Sequence, residues 1–167
     1  MRLIDPILME LDREASTTRK CLERVPDDKL GWAPHPKSMT AGKLAWHLAT
    51  TPAQIGGAVL ADGIDFATAP KAGPVPATTK EIVETFVAGV EAAKKSLATI
   101  DDAMAVAEWT LSMGGKVIVT MPRLAFVRNI LLNHSYHHRG QLSVYLRLLD
   151  VPVPSIYGPS ADENPFG

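Results

Sequence analysis

Three of the chain's five histidines, His134, His137 and His138, fall within five residues of one another. A neutral imidazole binds zinc, nickel, copper or iron, and its titration near neutral pH also suits it to proton transfer. On a helix, residues i and i+4 leave from one face, so His134 and His138 can converge on one point. His137 stands i+3 from His134 and offers a second pairing. It cannot easily share a point with His138, because adjacent helical residues diverge by about 100°. The apolar series Val127, Leu131, His134 continues through His138, which favours His138 as the ligand and leaves His137 a supporting or outer-face role. A third imidazole must come from another element. His47 is the best placed, three residues after Leu44 and one turn before Thr51 on the inward stripe of a separate helical pattern. Three histidines on a divalent metal ion leave a coordination position open for water or substrate. The competing reading of the same residues is a pair of buried histidines that hydrogen-bond within the core. Burying both without partners costs several kcal/mol.

The neighbours of the cluster suggest supporting roles. Arg139 could clamp an anionic substrate, with a plain surface charge as its default reading. Gln141 could hold a bound water or orient a ligand histidine. Gly140 inside a helix costs about 1 kcal/mol against alanine, which suggests a close helix approach. Tyr136 and Tyr145 read as packing residues, His35 between two prolines as a surface residue, and Cys21 as a core or boundary thiol rather than a nucleophile.

Four helical patterns must position these groups. The first starts at Asp5-Pro6, with Asp5 as the expected cap, and carries Ile7, Leu8, Leu11, Ala15, Thr18, Leu22 and Val25 on one face before Pro26. A connector holds Trp32, expected at the end of the helices. The second pattern begins near Ser38 or Thr40 and bears Leu44, His47, Leu48, Thr51, Ile55 and Val59; Pro52 predicts a kink or break after Thr51. Gly56 and Gly57 either weaken its second half or admit another helix. Residues 62–77 read as a plain loop. Thr78 and Glu81 then fit a capping box for a third helix that ends near Thr99, since Asp101-Asp102 oppose the helix dipole. From Glu108 to Met121 the period becomes two, with Gly114-Gly115 as a turn, which predicts a short hairpin or extended crossover that must pack on the helices. The last helix is expected to start around Met121-Pro122, with Thr120 as a possible cap, and to reach Leu149 with an apolar surface wide enough for both its own neighbours and a partner subunit. The segment 151–167 reads as an extended arm.

The 167 residues suit one domain, 1–167, with 46% hydrophobic and 21% charged residues. A net charge of −1 with no basic block gives no electrostatic case for nucleic acid. One cysteine precludes an internal disulfide framework and suggests a reducing compartment. The start shows no secretion signal and no run is long enough to span a membrane, so a cytoplasmic location is expected.

With Trp46-His47-Leu48, His134-Ser135-Tyr136-His137-His138-Arg139-Gly140-Gln141 and the tail Val151-Pro152-Val153-Pro154-Ser155-Ile156-Tyr157-Gly158, nearly the whole chain resembles the DinB/YfiT-like family of metal-dependent proteins. The resemblance implies an all-α fold, a four-helix bundle with up-down-down-up connectivity and a long crossover before the last helix, often as a homodimer. It implies a divalent metal, zinc or nickel, bound by His47, His134 and His138. It also implies a small-molecule substrate and, by similarity to thiol-dependent transferases and isomerases, a low-molecular-weight thiol. The function expected is therefore transfer or hydrolysis with a metal-activated thiolate or water. The alternatives are a non-catalytic or stress-response dimer stapled by a metal, and a bundle without metal. No carboxylate accompanies the ligands as a general base, which favours thiolate chemistry.

Overall fold

The structure, a computed structural model, describes residues 1–166. Helix α1 spans Asp5–Glu23 and buries Ile7, Leu11, Thr18 and Leu22 of the expected stripe, together with Glu14 and Cys21. Asp5 is not the cap. Ile4 holds that place in helical geometry, and the Asp5 carboxylate instead accepts from the Arg2 backbone N–H at 2.7 Å. Helix α2 spans Ala41–Ala58, capped by the Thr40 hydroxyl, which accepts from the Lys43 N–H at 3.1 Å. It runs on through Pro52 rather than breaking after Thr51. The hydroxyls of Thr50 and Thr51 donate to the Trp46 and His47 carbonyls at 3.0 and 2.7 Å, so the turn before the proline stays hydrogen-bonded.

Strand β1, Gly63–Asp65, lies in the segment expected to be a plain loop. Helix α3, Thr79–Ala98, opens with both halves of the capping box: Thr78 Oγ1 accepts from the Glu81 N–H at 3.3 Å and Glu81 Oε2 accepts from the Thr78 N–H at 3.2 Å. It packs along α2 at very close range. A Cβ built on Gly56 would sit 2.6 Å from Ala93 Cα, whereas Gly57 has open space around it. Of the two, Gly56 is the one that the approach requires. Asp101 and Asp102 do follow the end of α3, for a reason the dipole argument omitted. Asp101 caps a further short helix, α4 (Asp102–Val106), by accepting from the Met104 N–H at 2.7 Å.

Strands β2 (Glu108–Met113) and β3 (Lys116–Pro122) form the expected hairpin. Gly114 and Gly115 turn it with φ of +59° and +78°, values that glycine adopts without strain. β1 adds in parallel to β2, with Gly63 opposite Thr110. The fold is thus mostly helical with a three-stranded sheet rather than all-α. Asp65 fastens the sheet by accepting from the Gly114 and Gly115 N–H groups at 2.9 and 2.6 Å. Trp109 is fully buried and stacks on Phe126 with ring centroids 3.6 Å apart, which docks the hairpin on the helices.

The last helical segment is composite. Helix α5, Arg123–Phe126, passes into a π-helical stretch, Val127–Asn133, and then into α6, His134–Leu148. Thr120 belongs to β3 and does not cap it. The terminal arm folds back on α1 and α6, where Glu163 meets Arg24 and Asp162 accepts from Arg147 at 2.5 Å. Among the described residues, no helix is long and apolar enough to cross a membrane.

Candidate metal centre

His47 projects from α2, and His134 and His138 project from the first two turns of α6. Their Nε2 atoms converge: His134 lies 3.0 Å from His138 and 3.3 Å from His47. The rings meet edge to face, at interplanar angles of 85–89°. Nitrogen ligands about 2.05 Å from a tetrahedral ion stand about 3.3 Å from one another. Both spacings are close to those of donors around one ion, and all three donor atoms lie within 4.8 Å of one another. Gln141 Oε1 lies 2.7 Å from His138 Nδ1 and can only accept. It fixes the hydrogen on Nδ1 and leaves the Nε2 lone pair facing the other two rings.

An Nε2–H on His134 could be shared with two neighbours, and His134 Nδ1 is buried without a hydrogen-bond partner. Burial lowers the His47 pKa, with the charge of His138 as a second cause. Burial, followed by the mutual repulsion of His138, His47 and His137, takes His134 down to about 4. Burial also lowers His138, against the opposing hydrogen bond from Gln141. All three rings are thus held neutral at physiological pH, the state in which imidazole binds a cation. In donor type, spacing and protonation, the residues fit a divalent metal ion.

Among the described residues, this trio is the group of His, Cys, Asp and Glu side chains placed to hold a metal. His137 is exposed and lies beside His138, with ring centroids 4.9 Å apart, outside the convergence. His35 is exposed in the connector. Arg139 is neither a surface charge nor a clamp on the site. It is 1% exposed and turns to α1, donating to Glu14 Oε2 at 2.7 Å, to Thr18 Oγ1 at 3.2 Å and to the Tyr157 hydroxyl at 2.5 Å. One residue past His138, it has rotated by about 100° away from the metal side. Gly140 faces open space, so no helix approach requires it. Tyr136 donates to Glu10 at 2.7 Å, and Tyr145 donates to the Met39 carbonyl at 3.2 Å while packing on Trp32. Cys21 is fully buried, and that burial pushes its thiol up to about 11.

A cavity of about 850 Å³ opens beside the histidines, lined by His47 and His134, by other residues of α2, by Ile130, and by Ile64, Phe66 and residues 69–75. The loop forms one wall. It is held there by Trp46, whose indole N–H donates to the Gly73 carbonyl at 2.8 Å. Sequence reasoning missed this wall. The available signal was a tryptophan directly before His47, opposite a stretch too short to be a linker.

The family model described as the DinB family matches residues 4–164. The uncharacterised protein YrdA of Bacillus subtilis strain 168 is 28% identical over 167 residues, covering 96% of this chain and 91% of that one. A DinB-like protein from Bacillus cereus ATCC 10987, known from its crystal structure, superposes with a TM-score of 0.71 at 25% identity, covering 90% of this chain and 95% of that one. A DinB-like protein from Bacillus subtilis, YjoA, gives a TM-score of 0.72 at 16% identity over 91% and 98% of the two chains.

Proposed function

The chain belongs to the DinB family, and on that footing we propose that it is a metal-dependent enzyme in which His47, His134 and His138 hold a divalent cation, zinc or nickel, beside a substrate groove. The observation that carries this reading is the convergence of three neutral Nε2 donors at 3.0 and 3.3 Å. A bound cation would supply Lewis acidity, lowering the pKa of a coordinating water or thiol so that a nucleophile is available near neutral pH. The chain's own residues supply the rest. Gln141 fixes the tautomer of His138 and thereby aims its Nε2. The loop pinned by Trp46 closes one side of the groove and limits the water around a bound substrate. Among the described residues no aspartate or glutamate lines the groove, so no carboxylate of its lining stands ready as a general base. This favours attack by a thiolate from a low-molecular-weight thiol over hydrolysis, because a thiol loses its proton on coordination without a base. A cation that merely stapled α2 to α6 would give no reason for a groove at its side.

The same reading takes the four long helical segments as a bundle of up-down-down-up connectivity and the protein as a homodimer. The exposed Val144 and Leu148 on α6, 56% and 55% accessible, supply an apolar surface for the second subunit.

The test is elemental mass spectrometry of protein purified without an affinity tag or added metal. Near-stoichiometric zinc or nickel is expected, lost in His47→Ala and His138→Ala and kept in His137→Ala. A wild type that holds no metal and takes up none on titration overturns the proposal. Turnover of electrophiles with a panel of thiols, measured on the loaded protein, then separates transfer from hydrolysis.

A further inference from the structure

The groove beside the histidines has an uneven chemistry. Its walls are apolar along most of their length, with Ile55, Ile64, Phe66 and Val75 among the lining residues. Several of the polar atoms on those walls are already engaged. Thr50 and Thr51 give their hydroxyl hydrogens to α2 carbonyls, and Trp46 gives its indole N–H to Gly73. The charged groups on the lining are Lys43 and Lys71, and no acid accompanies them. The lysines that form ion pairs are Lys29, Lys80 and Lys94; Lys43 and Lys71 form none among the described residues. Lys43 also sits in the first turn of α2, where the helix dipole disfavours a cation and favours an anion. Two unpaired ammonium groups, one of them at the positive end of a helix, therefore give the groove a positive potential that nothing in its lining cancels.

Resting on the proposed enzyme reading, we infer that the groove selects an anionic electrophile with an apolar body. The carboxylate, sulfonate or phosphate of the ligand meets Lys43 and Lys71, its hydrocarbon or aromatic part lies along Ile55, Phe66 and Val75, and its electrophilic centre faces His47 and His134, since His47 stands between Lys43 and Ile55 along α2. The cavity, at about 850 Å³, has the size of sites that enclose drug-sized molecules. A small, fully polar anion satisfies the lysines but leaves the apolar wall wet. A neutral apolar molecule fills the wall and leaves both cations unmatched. A cation is repelled.

The experiment is a calorimetric titration with four probes: 4-phenylbutyrate, its amide, 4-phenylbutylammonium and succinate. Metal itself attracts anions, so each titration is run on the wild type and on His138→Ala, which leaves the groove lining intact. Chelator-dialysed wild type stands beside it in case that variant unfolds. The expected order is phenylbutyrate tightest, about tenfold ahead of the amide, the difference between a charge-assisted and a neutral hydrogen bond. In K43Q/K71Q, which alters two exposed side chains, that tenfold margin disappears and amide binding is unchanged. The margin persists without metal. Equal binding of the carboxylate and the ammonium, or an unchanged margin in K43Q/K71Q, overturns the inference. Succinate binding as well as phenylbutyrate overturns the apolar half of it. Failure of the enzyme reading shows separately, as an absence of metal in the wild type, and does not alter the lysine-dependent margin.

Discussion

His138 and Arg139 are adjacent on α6, both are buried, and they belong to two polar clusters of opposite character. On one side of the helix, Arg139, Glu14, Thr18 and Tyr157 close on themselves. The guanidinium donates to the Glu14 carboxylate and carbonyl, to Thr18 and to Tyr157, and Tyr157 in turn donates to Glu14 at 2.8 Å. On the other side, the three histidines stay neutral, bring their Nε2 atoms together at 3.0 and 3.3 Å and leave His134 Nδ1 without a partner. The first cluster is complete within the chain and holds α1, α6 and the terminal arm together. The second is not complete within the chain, and its converging donors leave room for a cation. The difference teaches that burial of polar groups does not itself mark a site; unsatisfied convergence does.

The comparison can be broken most forcibly at Glu14. Glu14→Ala leaves the Arg139 charge buried and uncompensated, and should cost about 3–5 kcal/mol in urea or thermal unfolding with metal stoichiometry unchanged. Loss of metal in that variant would show that the two sides of α6 are not independent. Gln141→Ala should do the reverse. It removes the acceptor that orients His138, and metal affinity measured by competition with a chelating dye should fall about 10- to 100-fold, with little change in the unfolding midpoint of the metal-free protein.

Acid sharpens the contrast further. The three histidine pKa values are depressed in the folded state, that of His134 from 6.5 to about 4, so the unfolded chain takes up protons first. The stability of the metal-free protein should therefore be full above about pH 6.5 and decline as pH falls from there towards 4, followed by chemical denaturation at stepped pH. His134→Gln, which has no proton to gain in that range, should flatten the decline. The smallest expected effect is at the arm. Tyr157→Phe removes one hydroxyl from the closed cluster and should cost about 1–2 kcal/mol by thermal melting, again with the metal content intact.

The sequence showed the histidine side of α6 well and the arginine side poorly, for physical reasons. An i, i+4 pair on one helix is local, and His47 stood on an inward stripe, so the three could be grouped without knowing how the helices pack. Arg139 finds Glu14 across 125 positions, which no local period reveals. A trace was present: Glu14 falls three residues after Leu11 and four before Thr18, on the buried face of α1, where a carboxylate needs a buried cation. The capping box at Thr78 and the hairpin at Gly114-Gly115 were legible because backbone geometry dictates their residues. Strand β1 was not, since three residues establish no period and its partner is far along the chain. Helix α4 was hidden because an acidic pair at the end of one helix is also a cap for the next. Nothing in the residues from Val127 to Asn133 marks a π-helical turn.

The distance along the chain between the ligands has a kinetic consequence. His47 and His134 are separated by 87 positions, and α3, α4 and the whole sheet are threaded between them. A turn of α6 can bring His134 and His138 together early and alone. The third donor arrives only when that long loop has closed, a step whose entropy is repaid by non-local packing and is therefore slow. A cation held by all three would then act on the finished molecule and hardly at all on its half-built precursors, so it would lengthen the lifetime of the folded state without hastening its formation.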